Sequence, residues 1–272
     1  MQTYRNSPWV WLPPLVSFFL LLIIYFSGAN RSLFLALNHL GHELGEECWA
    51  NLTILGDGAV ALALIAPWIK RSPQRFWAAL IAAVLAALWV QVPKHLVDVP
   101  RPLAVFPPQQ FFHTGPGYRA VSFPSGHSAA AFAITGIWIM SLTRHYLLRS
   151  LLLILAVLVS LSRVMVGVHW PLDLLGGMLG GWLAAWTGLL VSTHWGWKTS
   201  GFAGYLAGFG LLFIAAALLV STHIGHPETL PLQRMLGLIC LVWGSYEMLQ
   251  MRMQMQMQVL PRRKLHADRK RE

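Results

Sequence analysis

Runs of about twenty apolar residues recur along the chain, and few polar residues interrupt them. Roughly 20 apolar residues are what an α-helix needs to cross the ~30 Å hydrocarbon core of a bilayer. Within that core every backbone polar group must find its partner inside the protein, so such runs fold as helices. Candidate spans fall at 10–27, 50–69, 75–92, 127–143, 148–166, 171–192, 202–222 and 232–250. Composition agrees, with 56% hydrophobic and 11% charged residues, where a soluble domain carries about 25% charged ones. That excludes a disordered chain and argues against a soluble globular enzyme. The expected fold class is all-α, a polytopic membrane helix bundle.

The formal net charge of +10 suggests nucleic acid until the charges are placed. With the N-terminus inside, the inner segments hold Arg5, Lys70, Arg71, Arg75, Arg144, Arg149, Lys198 and Arg252, and in the tail Arg262, Arg263, Lys264, Arg269, Lys270 and Arg271. The outer segments hold Arg31, Lys94, Arg101, Arg119, Arg163 and Arg234. This bias is the positive-inside pattern, so both termini are expected in the cytoplasm and no nucleic-acid partner is implied. The topology is in the style of a bacterial inner-membrane protein. Tyr25-Phe26-Ser27-Gly28 is a poor cleavage site, so the first span reads as a retained signal anchor. Trp9, Trp11, Trp49, Trp68 and Trp77 sit near predicted span ends, as an interfacial belt would.

The connection at 93–126 carries seven prolines and cannot be one regular helix. Long connections of this kind tend to be functional. Residues 251–258 are a Met-Gln low-complexity run, and 261–272 read as a disordered basic tail. Cys48 and Cys240 fall in different contexts, so no disulfide is expected between them. His39, His42, His223 and His226 suggest no metal site; His95 and His113 lie in the long loop, and Asp57 is an unusual acid inside a predicted span.

Three polar clusters break the apolar pattern, all on the predicted outer side: Lys94-x6-Arg101-Pro102, Pro124-Ser125-Gly126-His127, and Ser162-Arg163-x5-His169-x3-Asp173. Lys94, Arg101 and Arg163 are cations on the side where cations are scarce, and a shared anion would explain them, Arg matching phosphate oxygens in pairs. Ser125 can cap the helix that follows, and Gly126 lets a ligand approach its N-terminus, where free N–H groups favour anions. His169 and Asp173, four apart, would share one face of a helix. A carboxylate on one imidazole nitrogen fixes the tautomer and leaves the other nitrogen as a nucleophile. His127 could then protonate a leaving alkoxide. The set suits phosphoryl transfer, which depends on positioning and charge neutralisation.

The clusters resemble the three-part signature of the type 2 phosphatidic acid phosphatase family, whose site is similar to that of vanadium haloperoxidases. All three parts occur in order from 94 to 173 with no substitution at a signature position. The resemblance implies His169 as a nucleophile forming a phosphohistidine, Asp173 as its orienter and His127 as the acid. It implies Lys94, Arg101, Ser125, Gly126 and Arg163 as phosphate ligands, a six-helix core over 1–200, and turnover without metal or other cofactor. The spans at 201–250 would be a C-terminal hairpin beyond that core.

The expected function is hydrolysis of lipid phosphate or diphosphate esters at the outer membrane face, with the bilayer holding the substrate's tail. A phosphotransferase using the same histidine, and an anion-binding or transport protein without catalysis, are the alternatives.

Overall fold

A computed structural model describes residues 7–43, 45–142, 144–222 and 227–268, with side chains described to residue 257. Arg5, His223, His226, the four residues 269–272 and the side chains of the basic tail lie outside the described residues. Among the described residues the chain is helical, with no strand.

Helix α1 spans Pro8–Ser27 and stops at Gly28, whose φ of 69° is the left-handed conformation glycine adopts freely. Helix α2, Asn30–Glu43, was not expected from hydropathy, being too polar for a span. Its buried residues, Phe34, Asn38 and Gly41, recur at the spacing of one helical face. Helices α3, Glu46–Ile54, and α4, Gly58–Ala63, are followed by a 3-10 turn at Ala66–Trp68. Hydropathy predicts one span near 50–69, and in it α3 and the Gly58–Trp68 segment meet at 47°. The cause is local. Gly56 loosens the chain, and the Asp57 carboxylate caps α4 by accepting the N–H groups of Ala59 (2.8 Å) and Val60 (3.2 Å).

Helices α5 (Pro73–Leu96), α6 (Gly126–Ser141), α7 (Tyr146–Met165) and α8 (Pro171–Trp195) form the centre. Helix α8 packs chiefly against α6 and α5 and also against α1. Its small residues make this possible. A Cβ on Gly177 would strike the Ser125 carbonyl, and one on Gly181 would strike the Ala129 backbone. Close backbone approach through small residues is how membrane helices pack without a hydrophobic driving force between them. Trp182 is buried at this junction and donates to the Val10 carbonyl at 2.8 Å.

Helices α9 (Phe202–Val220) and α10 (Leu230–Asp268) follow, and α10 packs along α9 and the Ala66–Trp68 turn. Helix α10 continues through the Met-Gln run at 251–258 to Asp268, into the stretch expected as a disordered tail. Met, Gln and Leu favour the helix through 251–258, whereas the continuation past Pro261 has no such account in the sequence. Buried Glu247 accepts from Arg71 Nε and, at 3.2 Å, from Trp243 Nε1, tying α10 to the α4–α5 connection.

Among the described residues five helices are long and apolar enough to cross a membrane: α1, α5, α7, α8 and α9. The bent α3–α4 segment makes a sixth if it counts as one span. The eight expected spans are thus not all equivalent. The one at 127–143 is the 16-residue α6, about 24 Å long at 1.5 Å per residue and shorter than the hydrocarbon core. The one at 232–250 is part of α10, where Gln233, Arg234 and Glu247 dilute the apolar run. Leu12, Phe19, Phe26, Phe202, Phe209 and Phe213 are all more than half exposed on α1 and α9. Such faces suit lipid rather than water. Trp49, expected at an interface, is instead buried and donates to the Gly41 carbonyl at 2.8 Å, joining α2 to α3.

Candidate active site

The end of α5, the start of α6, the end of α7 and the start of α8 meet at one end of the bundle, and each brings one part of the signature. The cations assigned to the inner side, Lys70, Arg75, Arg144 and Lys198, flank the opposite ends of the same helices.

His169 lies in the loop before α8, not within a helix. Pairing across a helical face, the reason given from spacing, is therefore corrected. The pairing comes from the α8 cap. Pro171 begins the helix, where its missing N–H matters least. Asp173, two residues on, folds its carboxylate back onto the cap. Oδ2 accepts the Trp170 backbone N–H at 2.8 Å and lies 3.1 Å from His169 Nδ1. Ser122 Oγ donates to the same oxygen. A carboxylate oxygen at Nδ1 places the proton there and leaves the lone pair on Nε2. His169 and Asp173 are 2% and 1% exposed, so the pair is held out of water. Burial first, then the charges of Arg101, Arg163 and Lys94, hold the His169 imidazole well below its ordinary pKa of 6.5. All three cations of the signature thus act on one ring.

Arg101 is fixed by backbone. Its Nε donates to the Ala120 carbonyl at 3.0 Å and its Nη1 to the Val168 carbonyl at 3.3 Å, next to His169. Tyr118 places its ring 5.0 Å from the guanidinium. Lys94 sits half-buried in the last turn of α5. Arg163 is buried in the last turn of α7, and its backbone carbonyl accepts the N–H groups of Val168 (3.0 Å) and His169 (3.2 Å).

Ser125 caps α6 as expected, its Oγ accepting the Ser128 N–H at 3.4 Å. The Ser125 N–H donates to the Asp173 carbonyl at 2.9 Å, which locks the second cluster to the third. Over Gly126 a Cβ would meet only Val90, at 3.7 Å, so the space there is open. His127 is half-buried, and its buried Nε2 has no hydrogen-bond partner among the described residues. The same holds for Arg163 Nε. Buried polar atoms are nearly always satisfied, so two unpartnered nitrogens in one signature fit a site that a ligand completes.

Other candidates fall elsewhere. His95 is exposed, and His113 lies against Phe111. His39 contacts the Gln110 carbonyl at 3.1 Å, while His42 stacks on Phe112 and pairs with Glu46 at 2.9 Å. Cys48 is exposed and Cys240 buried, both free. Residues the sequence reading missed include Ser122, Tyr118 and Asn38. Asn38 donates to the Phe112, Val164 and Met165 carbonyls at 2.9–3.0 Å and accepts the Phe112 N–H, pinning the long loop to the end of α7. No single-sequence signal marks an isolated Ser or Asn whose partners are 47–127 residues away.

A cavity of about 280 Å³ starts at Gly126 and His127 and runs between α4, α5 and α6. Small apolar residues such as Ala83, Ala86, Ala87, Ala130 and Ala133 line it, and Gln91 is among its few polar groups.

The sequence profile of the PAP2 superfamily matches residues 75–199. An undecaprenyl-diphosphatase of Sulfolobus acidocaldarius is 39% identical over 105 residues, 38% of this chain and 49% of that protein. The putative undecaprenyl-diphosphatase YbjG of Escherichia coli is 37% identical over 101 residues, 35% of this chain and 50% of that one. The chain thus spans about half the length of these curated relatives. The crystal structure of Aquifex aeolicus LpxE superposes with a TM-score of 0.54 at 27% identity, covering 59% of this chain and 94% of that one. The matched region contains the whole ordered signature from Lys94 to Asp173, and over residues 75–199 the chain is similar to the PAP2 superfamily.

Proposed function

We propose that this membrane protein hydrolyses lipid phosphate or diphosphate esters by way of a phosphohistidine on His169. The observation that carries the reading is the buried His169–Asp173 pair set among three cations. His169 Nε2 attacks phosphorus, and Lys94, Arg101 and Arg163 neutralise the phosphoryl oxygens. His127 delivers a proton to the leaving oxygen, then takes one from the water that releases phosphate. With three fixed cations supplying the charge, the cycle needs no metal ion.

A lipid substrate is supported by the alanine-lined cavity that begins at His127, since an apolar channel beside a cationic site fits a molecule with one charged end and one oily end. Lipid diphosphates of the kind named for the two relatives are the first candidates, with lipid monophosphates such as phosphatidate and phosphatidylglycerol phosphate next. The site faces the outer side, and both termini lie in the cytoplasm of a cell whose inner membrane carries the chain.

The test is phosphate release by detergent-purified protein from a panel of lipid mono- and diphosphates, with and without EDTA. Release from at least one lipid, unchanged by EDTA and abolished by His169→Ala, is expected. Release from none would sink the hydrolase reading, and transfer of phosphate to a second lipid instead of water would make the protein a phosphotransferase. Loss of activity with EDTA would remove the metal-free cycle alone.

A further inference from the structure

The bent span formed by α3 and α4 precedes the residues that match the family profile, yet it reaches the phosphate site. Thr53, one residue from the end of α3 and 0% exposed, accepts a hydrogen bond from Arg163 Nη1 at 2.8 Å. Its own hydroxyl proton faces Ser162 Oγ at 2.9 Å, since the Ser162 proton goes to the Val159 carbonyl at 2.6 Å. A hydroxyl can accept and donate at once, so Thr53 joins two neighbouring members of the third cluster, accepting from Arg163 and donating to Ser162. Four residues on, Asp57 caps α4 and adds its negative charge to the field at Arg163. Between them, Gly56 lies against His127, where a Cβ would meet the His127 Cβ and carbonyl at 3.0 Å. The break in the span therefore sits between the acid and the arginine of the site.

We infer that Thr53 is the positioning residue that fixes the Arg163 guanidinium for a phosphate group. This rests on the reading of Arg163 as a phosphate ligand. With Nη1 tethered to Thr53, the guanidinium plane cannot rotate, and Nε, which has no protein partner among the described residues, keeps one direction. A planar fork matches phosphate oxygens only when its orientation is set, so the tether supplies geometry. The Asp57 cap holds the bend that brings Thr53 there. This gives the acid in the middle of a membrane segment a reason to exist, since a costly intramembrane carboxylate calls for a role.

The experiment uses inorganic phosphate as the probe, with binding to detergent-purified full-length protein measured by calorimetry and, in parallel, as inhibition of lipid hydrolysis. Thr53→Val keeps the shape but removes the acceptor, and Thr53→Ser keeps the acceptor. The valine variant is expected to weaken phosphate binding about tenfold, the size of one lost hydrogen bond to a buried charge, and the serine variant to restore it within about twofold. A residue acting only on packing would give the opposite order, because serine loses the methyl and valine does not.

Coupling gives the second readout. In an Arg163→Lys background, Thr53→Val is expected to add less than a twofold further loss, since residues acting through one another are not additive. Should the valine variant not fold, Thr53→Ala enters the same pair of comparisons. Phosphate binding by the valine or alanine variant equal to that of the unmutated protein, or a full tenfold loss added in the lysine background, would overturn the inference. Phosphate binding by the unmutated protein without hydrolysis of any lipid would overturn the hydrolase reading and leave the Thr53 comparison intact. No phosphate binding by the unmutated protein would overturn the reading of Arg163 as a phosphate ligand and the inference with it, whatever the lipid assay shows.

Discussion

At His169 the features that build a nucleophile also oppose its protonation. Asp173 holds the proton on Nδ1, while burial and the Arg101, Arg163 and Lys94 charges disfavour a second proton on Nε2. Protonation there would remove the attacking lone pair, so a lowered pKa moves that loss to lower pH. The acid limb that His169 contributes to kcat/KM is therefore expected below pH 6.5, its ordinary value. Arg101 is the first of the three cations acting on the ring. Arg101→Gln should lower kcat/KM at its maximum and also move this limb to higher pH, which a pH profile of the two proteins reads directly. A limb that moved to lower pH would contradict the field argument. At this scale much was legible from sequence, because ionisable residues are conspicuous in an apolar chain. Ser122 and Thr53 were not, since a lone hydroxyl carries no pattern and its partners lie 51 and 110 residues away.

Among the elements, α8 does most to place the chemistry. Its glycines let α6 lie close enough for the Ser125 N–H to reach the Asp173 carbonyl. Gly177→Ala puts a methyl group against that serine's carbonyl, and backbone cannot yield as a flexible side chain can. The variant is expected to lose at least tenfold in lipid hydrolysis and to melt at lower temperature. Gly210→Ala on α9, where a Cβ meets nothing within 4 Å, should leave hydrolysis unchanged and melt at the same or a higher temperature. Equal behaviour of the two variants in a paired assay would refute the packing argument. The long apolar helices were readable from hydropathy. Helix α2 was not, because its buried face is only Phe34, Asn38 and Gly41. The bend at Asp57 was seen only as an odd acid, since nothing in hydropathy separates a capped break from a straight span.

For the molecule as a whole, the orientation across the membrane rests on the distribution of Lys and Arg. Two native thiols make it testable. Cys48 is exposed near the start of α3, on the side assigned as outer, and Cys240 is buried in α10. A membrane-impermeant maleimide added to spheroplasts is expected to modify Cys48, and Cys48→Ser should abolish the labelling. Labelling that appears only after the membrane is opened would invert the orientation and move the site to the cytoplasm. The placement of α9 and α10 beside the core could not be read from sequence. It depends on contacts such as that between Glu247 and Arg71, 176 residues apart.

The hydrogen bond from Arg163 to Thr53 has a consequence for how the protein is made. The two residues are 110 positions apart, so α3 has left the ribosome and entered the membrane long before its partner is synthesised. During that interval the Thr53 hydroxyl has to be satisfied by something else. No fragment shorter than the stretch from Thr53 to Asp173 can contain the whole set of contacts. Activity in a truncated or split chain is therefore a gauge of insertion: it can appear only once both ends of that stretch share a membrane and have found each other.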